Sequence, residues 1–144
     1  MPSLAAQPEQ FIVTQLFMFR EGIRKDPQMS PIAKNLTNAD LNDLAAYFST
    51  QPLTPPARIT APDKVVAGRR LAVRFNCVQC HGPALKGLQH IPRLAGQHRQ
   101  YLLTQLHGFK AATRFDSDGN MTSAAQPLSN ADIEILADYL AGMK

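Results

Sequence analysis

A chain of 144 residues that is 44% hydrophobic can build a packed core, which argues against wholesale disorder. Its net charge of +4 comes from 15 Lys and Arg against 11 Asp and Glu, and no apolar run approaches the ~20 residues of a membrane helix. With only two cysteines, Cys77 and Cys80, a disulfide framework is excluded.

In chain order, the first residues show no basic start followed by an apolar stretch, so no signal peptide is expected in this chain. An exported protein would have been trimmed or would begin upstream. A helix is expected over Gln10–Arg20, then a loop containing Met29. Thr37 then stands where a helix N-cap belongs, with Asp40 three residues later. Behind it, Leu41, Leu44, Ala45 and Phe48 fall at i, i+3, i+4 and i+7, an amphipathic helix. Residues 51–62, with Pro52, Pro55, Pro56 and Pro62, read as a stiff linker. "DKVVAGRRLAVRFN" follows as a helix with Val65, Val66, Leu71 and Phe75 apolar, and runs into the cysteines. Further helices are expected over Arg99–Lys110 and behind the cap Ser129, where Ile133, Leu136, Ala137 and Leu140 repeat the earlier spacing. No period-2 alternation occurs, so the fold class is all-α.

The organising feature is an internal repeat. Pro2–Asp26 aligns with Pro92–Asp116 at an offset of 90, and Met29–Tyr47 with Met121–Tyr139 at an offset of 92. The first copy has no cysteine pair, and the counterpart of Cys77 would precede residue 1.

Charge is uneven. Between Arg58 and Arg114 ten basic residues face a single acid, Asp63. The stretch reads either as a solvated face or as a docking surface for an acidic partner. Nucleic acid is disfavoured, because no aromatic residues interleave the charges and no nucleic-acid motif is present.

The chemistry lies in "NCVQCHGP". C-x-x-C followed by His is the attachment signature of c-type haem: two thiols so spaced reach the two vinyl groups, and His81 stands under the iron. A thioredoxin-like redox pair needs a βαβ context, which is missing. A zinc site needs two more well-spaced ligands, and His90 and His98 do not supply them. The second axial ligand is expected from a distant loop. Met121, in the polar stretch "FDSDGNMTSAAQPLS", fits, with His90, His98 and His107 as rivals.

From about residue 60 to 144 the sequence resembles a class I cytochrome c. The pattern "CxxCHG … PRLAGQ … YLLTQLHGF … M … LSNADIEILADYL" resembles one domain of the cytochrome c4 family, periplasmic proteins with two such domains in tandem. Residues 2–50 resemble the rear of the first domain. The resemblance implies a partial, haem-less cytochrome c-like helical segment (1–50), the linker (51–62) and a class I cytochrome c domain (63–144). It implies one covalently attached haem c on Cys77 and Cys80, with His81 and Met121 as axial ligands. Pro92 would lend its carbonyl to the His81 ring N–H, and Gly68 and Tyr139 would meet where the first and last helices cross. Met29 would bind no iron, and residues 1–50 would be the less stable part. A gene extending upstream to a signal peptide and a first CxxCH is the companion expectation.

The implied function is periplasmic single-electron transfer. With both axial positions filled, no coordination site is open to substrate, so the chain is expected to be an electron-transfer protein rather than an enzyme. The alternatives are a cytochrome subunit of a larger dehydrogenase or oxidase complex, and a haem sensor. Expected partners are redox proteins with acidic docking surfaces: a quinol-oxidising complex, a terminal oxidase or a dehydrogenase. Arg114 reads equally as a surface charge or as the partner of a haem propionate.

Overall fold

A computed structural model describes residues 1–54 and 60–144. Pro55, Pro56 and Arg58, part of the expected linker and basic stretch, lie outside the described residues. The described residues form helices α1 (Glu9–Arg20), α2 (Met29–Ala33), α3 (Asn38–Thr50), α4 (Pro62–Arg74), α5 (Cys77–His81), α6 (Arg99–Lys110), α7 (Asn120–Ala125) and α8 (Asn130–Ala141). Among them the only β feature is an isolated bridge between Leu88 and Ile91.

Local signals explain the long helices. Thr37 and Ser129 accept from the backbone N–H of Asp40 and Asp132, whose carboxylates accept in return from the two caps. These reciprocal bonds satisfy N–H groups that a helix start leaves unpaired. Pro62 occupies the first turn of α4, where its missing N–H costs nothing. One expectation shifts: Pro62 belongs to α4 rather than to the linker. Of the four apolar residues read in this helix, Val66 is 61% exposed.

The two methionine segments, read as loops, each hold a short helix, α2 and α7. The first turn of each is tied to an aspartate of the preceding loop. Asp26 accepts from the backbone N–H of Met29 at 2.8 Å, and Asp116 from that of Met121 at 2.7 Å.

The main core is built from α4, α6 and α8, around Leu102, Leu103, Phe109, Ile133, Leu136 and Leu140. At the α4–α8 crossing Gly68 lies so close to Tyr139 that a methyl group there would overlap the tyrosine side chain. The buried Asp138 ties the same helices together: it accepts from Arg99 Nε at 2.6 Å and Lys64 Nζ at 3.0 Å, and its backbone carbonyl accepts from Thr60. The first repeat, α1–α3, meets the second along a seam bridged by Ser3, Gln7 and Arg24.

Candidate haem site

Asn76, at φ +57°, turns the chain out of α4 and into the single helical turn α5. That turn carries both thiols and the imidazole. Cys77 is half-buried and Cys80 exposed, and no disulfide joins them. Burial pushes the Cys77 thiol up, the opposite of the depressed value that a redox-active C-x-x-C pair requires.

His81 is 3% exposed. Its Nδ1 lies 2.7 Å from the carbonyl oxygen of Pro92. A carbonyl only accepts, so Nδ1 carries the proton, and the lone pair of the neutral ring sits on Nε2. Burial holds the imidazole pKa down, outweighing the Pro92 bond, which acts in the other direction. The ring is therefore neutral near pH 7, as ligation requires, and its orientation is set by the backbone.

What puts Pro92 there is a tight loop. Gly87 adopts φ +78°, and a Cβ on it would stand 2.6 Å from the Arg93 nitrogen and the Pro92 carbonyl carbon. The Gly87 N–H donates to the His81 carbonyl at 2.9 Å, and Leu88 and Ile91 pair across the turn. Only glycine fits this backbone and leaves Pro92 within reach of the ring.

Met121 is partly buried and packs on the same core that Cys77 and Val78 touch. Asp116 fixes its backbone from the preceding loop: Oδ2 accepts from Met121 N, and Oδ1 from Thr122 N and Oγ1. In the sequence the only mark of Asp116 is its place opposite Asp26 in the repeat. His90, His98 and His107 are all exposed. Among the described residues, no three His, Cys, Asp or Glu side chains come together as a metal site, which leaves the zinc alternative without ligands.

The donor set fits haem c: two unpaired thiols on one turn, a buried neutral imidazole with one nitrogen committed to the backbone, and a thioether on a braced segment. A buried unpartnered atom, Arg114 Nε, adds a cation in want of an anion.

The basic stretch divides. Arg69, Arg70, Arg74 and Lys86 are exposed. Lys64 and Arg99 are bound to Asp138. Arg93 is half-buried and donates through Nε to the Ala95 carbonyl at 2.9 Å, so its role is structural before it is a docking contact.

Comparison with known proteins agrees with this chemistry. The sequence profile of the Cytochrome c family matches residues 65–144. A cytochrome c4 from Thiocapsa roseopersicina is 39% identical over 99% of this chain and 78% of its own length. A thiosulfate dehydrogenase electron acceptor from Thiomonas intermedia is 34% identical over 97% of this chain and 69% of its own. The solved cytochrome c4 of Acidithiobacillus ferrooxidans superposes with a TM-score of 0.89 at 28% identity, covering 99% of this chain and 88% of that one. The chain therefore belongs to the cytochrome c family, and within it to the cytochrome c4-like electron carriers.

Proposed function

We propose that this chain is a periplasmic single-electron carrier with one covalently bound haem c. Cys77 and Cys80 would carry the haem through thioethers, and His81 and Met121 would ligate its iron. When bound, the haem supplies a one-electron Fe(II)/Fe(III) couple. The protein holds that couple in nearly fixed geometry. The thiols anchor it to α5, Pro92 holds the His81 ring, and Asp116 braces the Met121 backbone. His81 is the proximal ligand because of its place directly after C-x-x-C. The observation that carries the reading is the 2.7 Å contact of His81 Nδ1 with the Pro92 carbonyl, which directs Nε2 to be the ligating nitrogen.

The test is an intact-mass measurement of protein matured in a host with cytochrome c assembly machinery, joined to its oxidised spectrum. The expected mass exceeds the polypeptide by one haem that resists acid–acetone extraction. The expected spectrum carries the weak long-wavelength band of a methionine–ferric bond, absent in Met121→Ala. Extractable haem, a mass increase of two haems, or a band that survives Met121→Ala overturns the assignment.

A second reading is a cytochrome subunit that takes electrons from a dehydrogenase. The Thiomonas intermedia relative, a thiosulfate dehydrogenase electron acceptor, favours it. Co-purification with a larger catalytic subunit from the native host separates this reading from a free carrier.

A further inference from the structure

Lys110 is the last residue of α6, and Gln126 follows α7 as its C-cap. A reciprocal pair of bonds joins them. Lys110 Nζ donates to the Gln126 carbonyl at 3.1 Å, and Gln126 Nε2 donates to the Lys110 carbonyl at 3.0 Å. Gln126 Nε2 also reaches back into α7, to the Thr122 carbonyl at 3.3 Å. The Lys110 carbonyl is one of those that a helix C-terminus leaves unpaired, so the glutamine amide completes α6 while it holds α7.

The first repeat is built differently at the same place. The equivalents of Lys110 and Gln126 are Arg20 and Lys34. Arg20 passes over residue 34 and donates to the Leu36 carbonyl at 3.1 Å and to Asn38 Oδ1 at 2.9 Å. Lys34 is a second cation and lies exposed. The exchange between α6 and the end of the methionine helix therefore belongs to the second repeat, the one with the cysteine pair.

α7 has six residues and no side-chain cap at its N-terminus. Helices shorter than ~12–15 residues are marginal by themselves, so the place of α7 depends on what ties its ends. Asp116 holds the start, through Met121 N and Thr122 N. Lys110 and Gln126 hold the finish. Met121 lies between the two ties on a flexible side chain, and its thioether can withdraw far only if α7 parts from α6.

We propose that Lys110 and Gln126 are positioning residues for Met121: their exchange fastens the far end of the methionine helix to α6 and sets how often the thioether leaves the haem iron. This rests on the haem assignment above. The ligand itself touches neither residue; the two act through the backbone of α7.

The test is the rate of CO binding to the reduced holoprotein at saturating CO, where departure of the methionine is limiting. Gln126→Ala removes both bonds from Nε2 and should raise that rate about tenfold, with the long-wavelength band still present in the oxidised protein. Lys110→Met should act in the same direction, and Lys110→Arg, which keeps a donor, should recover most of the parental rate. Arg20→Met removes bonds of the same kind from the first repeat and should leave the rate unchanged. A parental rate in both Gln126→Ala and Lys110→Met overturns the proposal. So does equal acceleration by Arg20→Met, since the effect is then general loosening. A parent protein without the band, or a band that survives Met121→Ala, sinks the ligand assignment and the proposal with it; a parent with a Met121-dependent band and unmoved variants sinks only the Lys110–Gln126 tie.

Discussion

Gln7 and Gln97, equivalent in the repeat and both buried, each pair with the backbone of the opposite half. Gln7 donates to the Arg93 carbonyl at 3.0 Å and accepts from the Arg93 N–H at 2.9 Å. Gln97 donates to the Ser3 carbonyl at 2.9 Å and accepts from the Ser3 N–H at 2.7 Å. Ser3 and Arg93 are themselves equivalent, so the seam is a two-fold exchange of side-chain amides for backbone groups. Each amide satisfies one donor and one acceptor.

Gln7→Ala is expected to cost about 1–3 kcal/mol, because it strands the Arg93 N–H and carbonyl in a partly buried seam. Chemical denaturation of holoprotein measures it. Hydrogen exchange should show α1 and α3 opening before α6 and α8: among the described residues, buried hydrophobics number six in residues 1–50 and fourteen in 72–141. Equal protection in both halves would show the seam to be strong enough to make one cooperative unit.

Gly87→Ala is expected to damage the site without touching a ligand. A Cβ there meets the Pro92–Arg93 backbone, and a non-glycine residue at φ +78° adds about 1–3 kcal/mol of strain. The Pro92 carbonyl should move off His81, with reduced holoprotein stability and a changed potential. A variant that matches the parent in both shows that Pro92 is held by other means.

Asp116→Ala is expected to weaken the long-wavelength methionine band and admit CO to the reduced protein, because the Met121 and Thr122 N–H groups lose their acceptor. Asp26→Ala, the equivalent change in the first repeat, should leave that band intact. Equal effects of the two would assign both to global stability.

Asp138 sets an acid limit on stability. Burial alone would raise its carboxyl, but hydrogen bonds from Arg99 and Lys64 outweigh burial and hold it below the ordinary range. A folded-state value below the unfolded value of about 3.9 means the contribution is complete above that pH and is lost as pH falls through the folded value. Denaturant unfolding midpoints of parent and Asp138→Asn, measured at a series of pH values, should therefore converge at low pH, with the variant less stable at pH 7. A constant gap down to pH 2 would remove Asp138 from the acid response.

Association with an acidic redox partner should slow as salt rises, since charge reaches only ~8 Å at physiological ionic strength. Arg69→Glu, Arg70→Glu and Lys86→Glu, all at exposed positions, should slow it further. Rates indifferent to both salt and charge reversal would return these residues to a solvated face.

Sequence alone determined what depends on neighbours in the chain. The C-x-x-C-H spacing named the haem chemistry, the caps at Thr37 and Ser129 started α3 and α8, and apolar periodicity gave the helical class. The repeat announced two like halves. Tertiary structure decided how differently like residues are used. Tyr139 is 7% exposed beneath Gly68 of α4, while its counterpart Tyr47 is 59% exposed. Arg24 is satisfied across the seam and Arg114 is not, because one position carries Tyr101 and the other Phe11. Arg93 looked like a docking charge until its side chain closed on Ala95 and its backbone on Gln7. Caps and helix periods are settled within a few residues, where the chain itself enforces proximity. Which of two equivalent side chains is buried or left unpaired depends on partners far away in the chain, as much as 94 residues for Ser3 and Gln97, which only folding brings together.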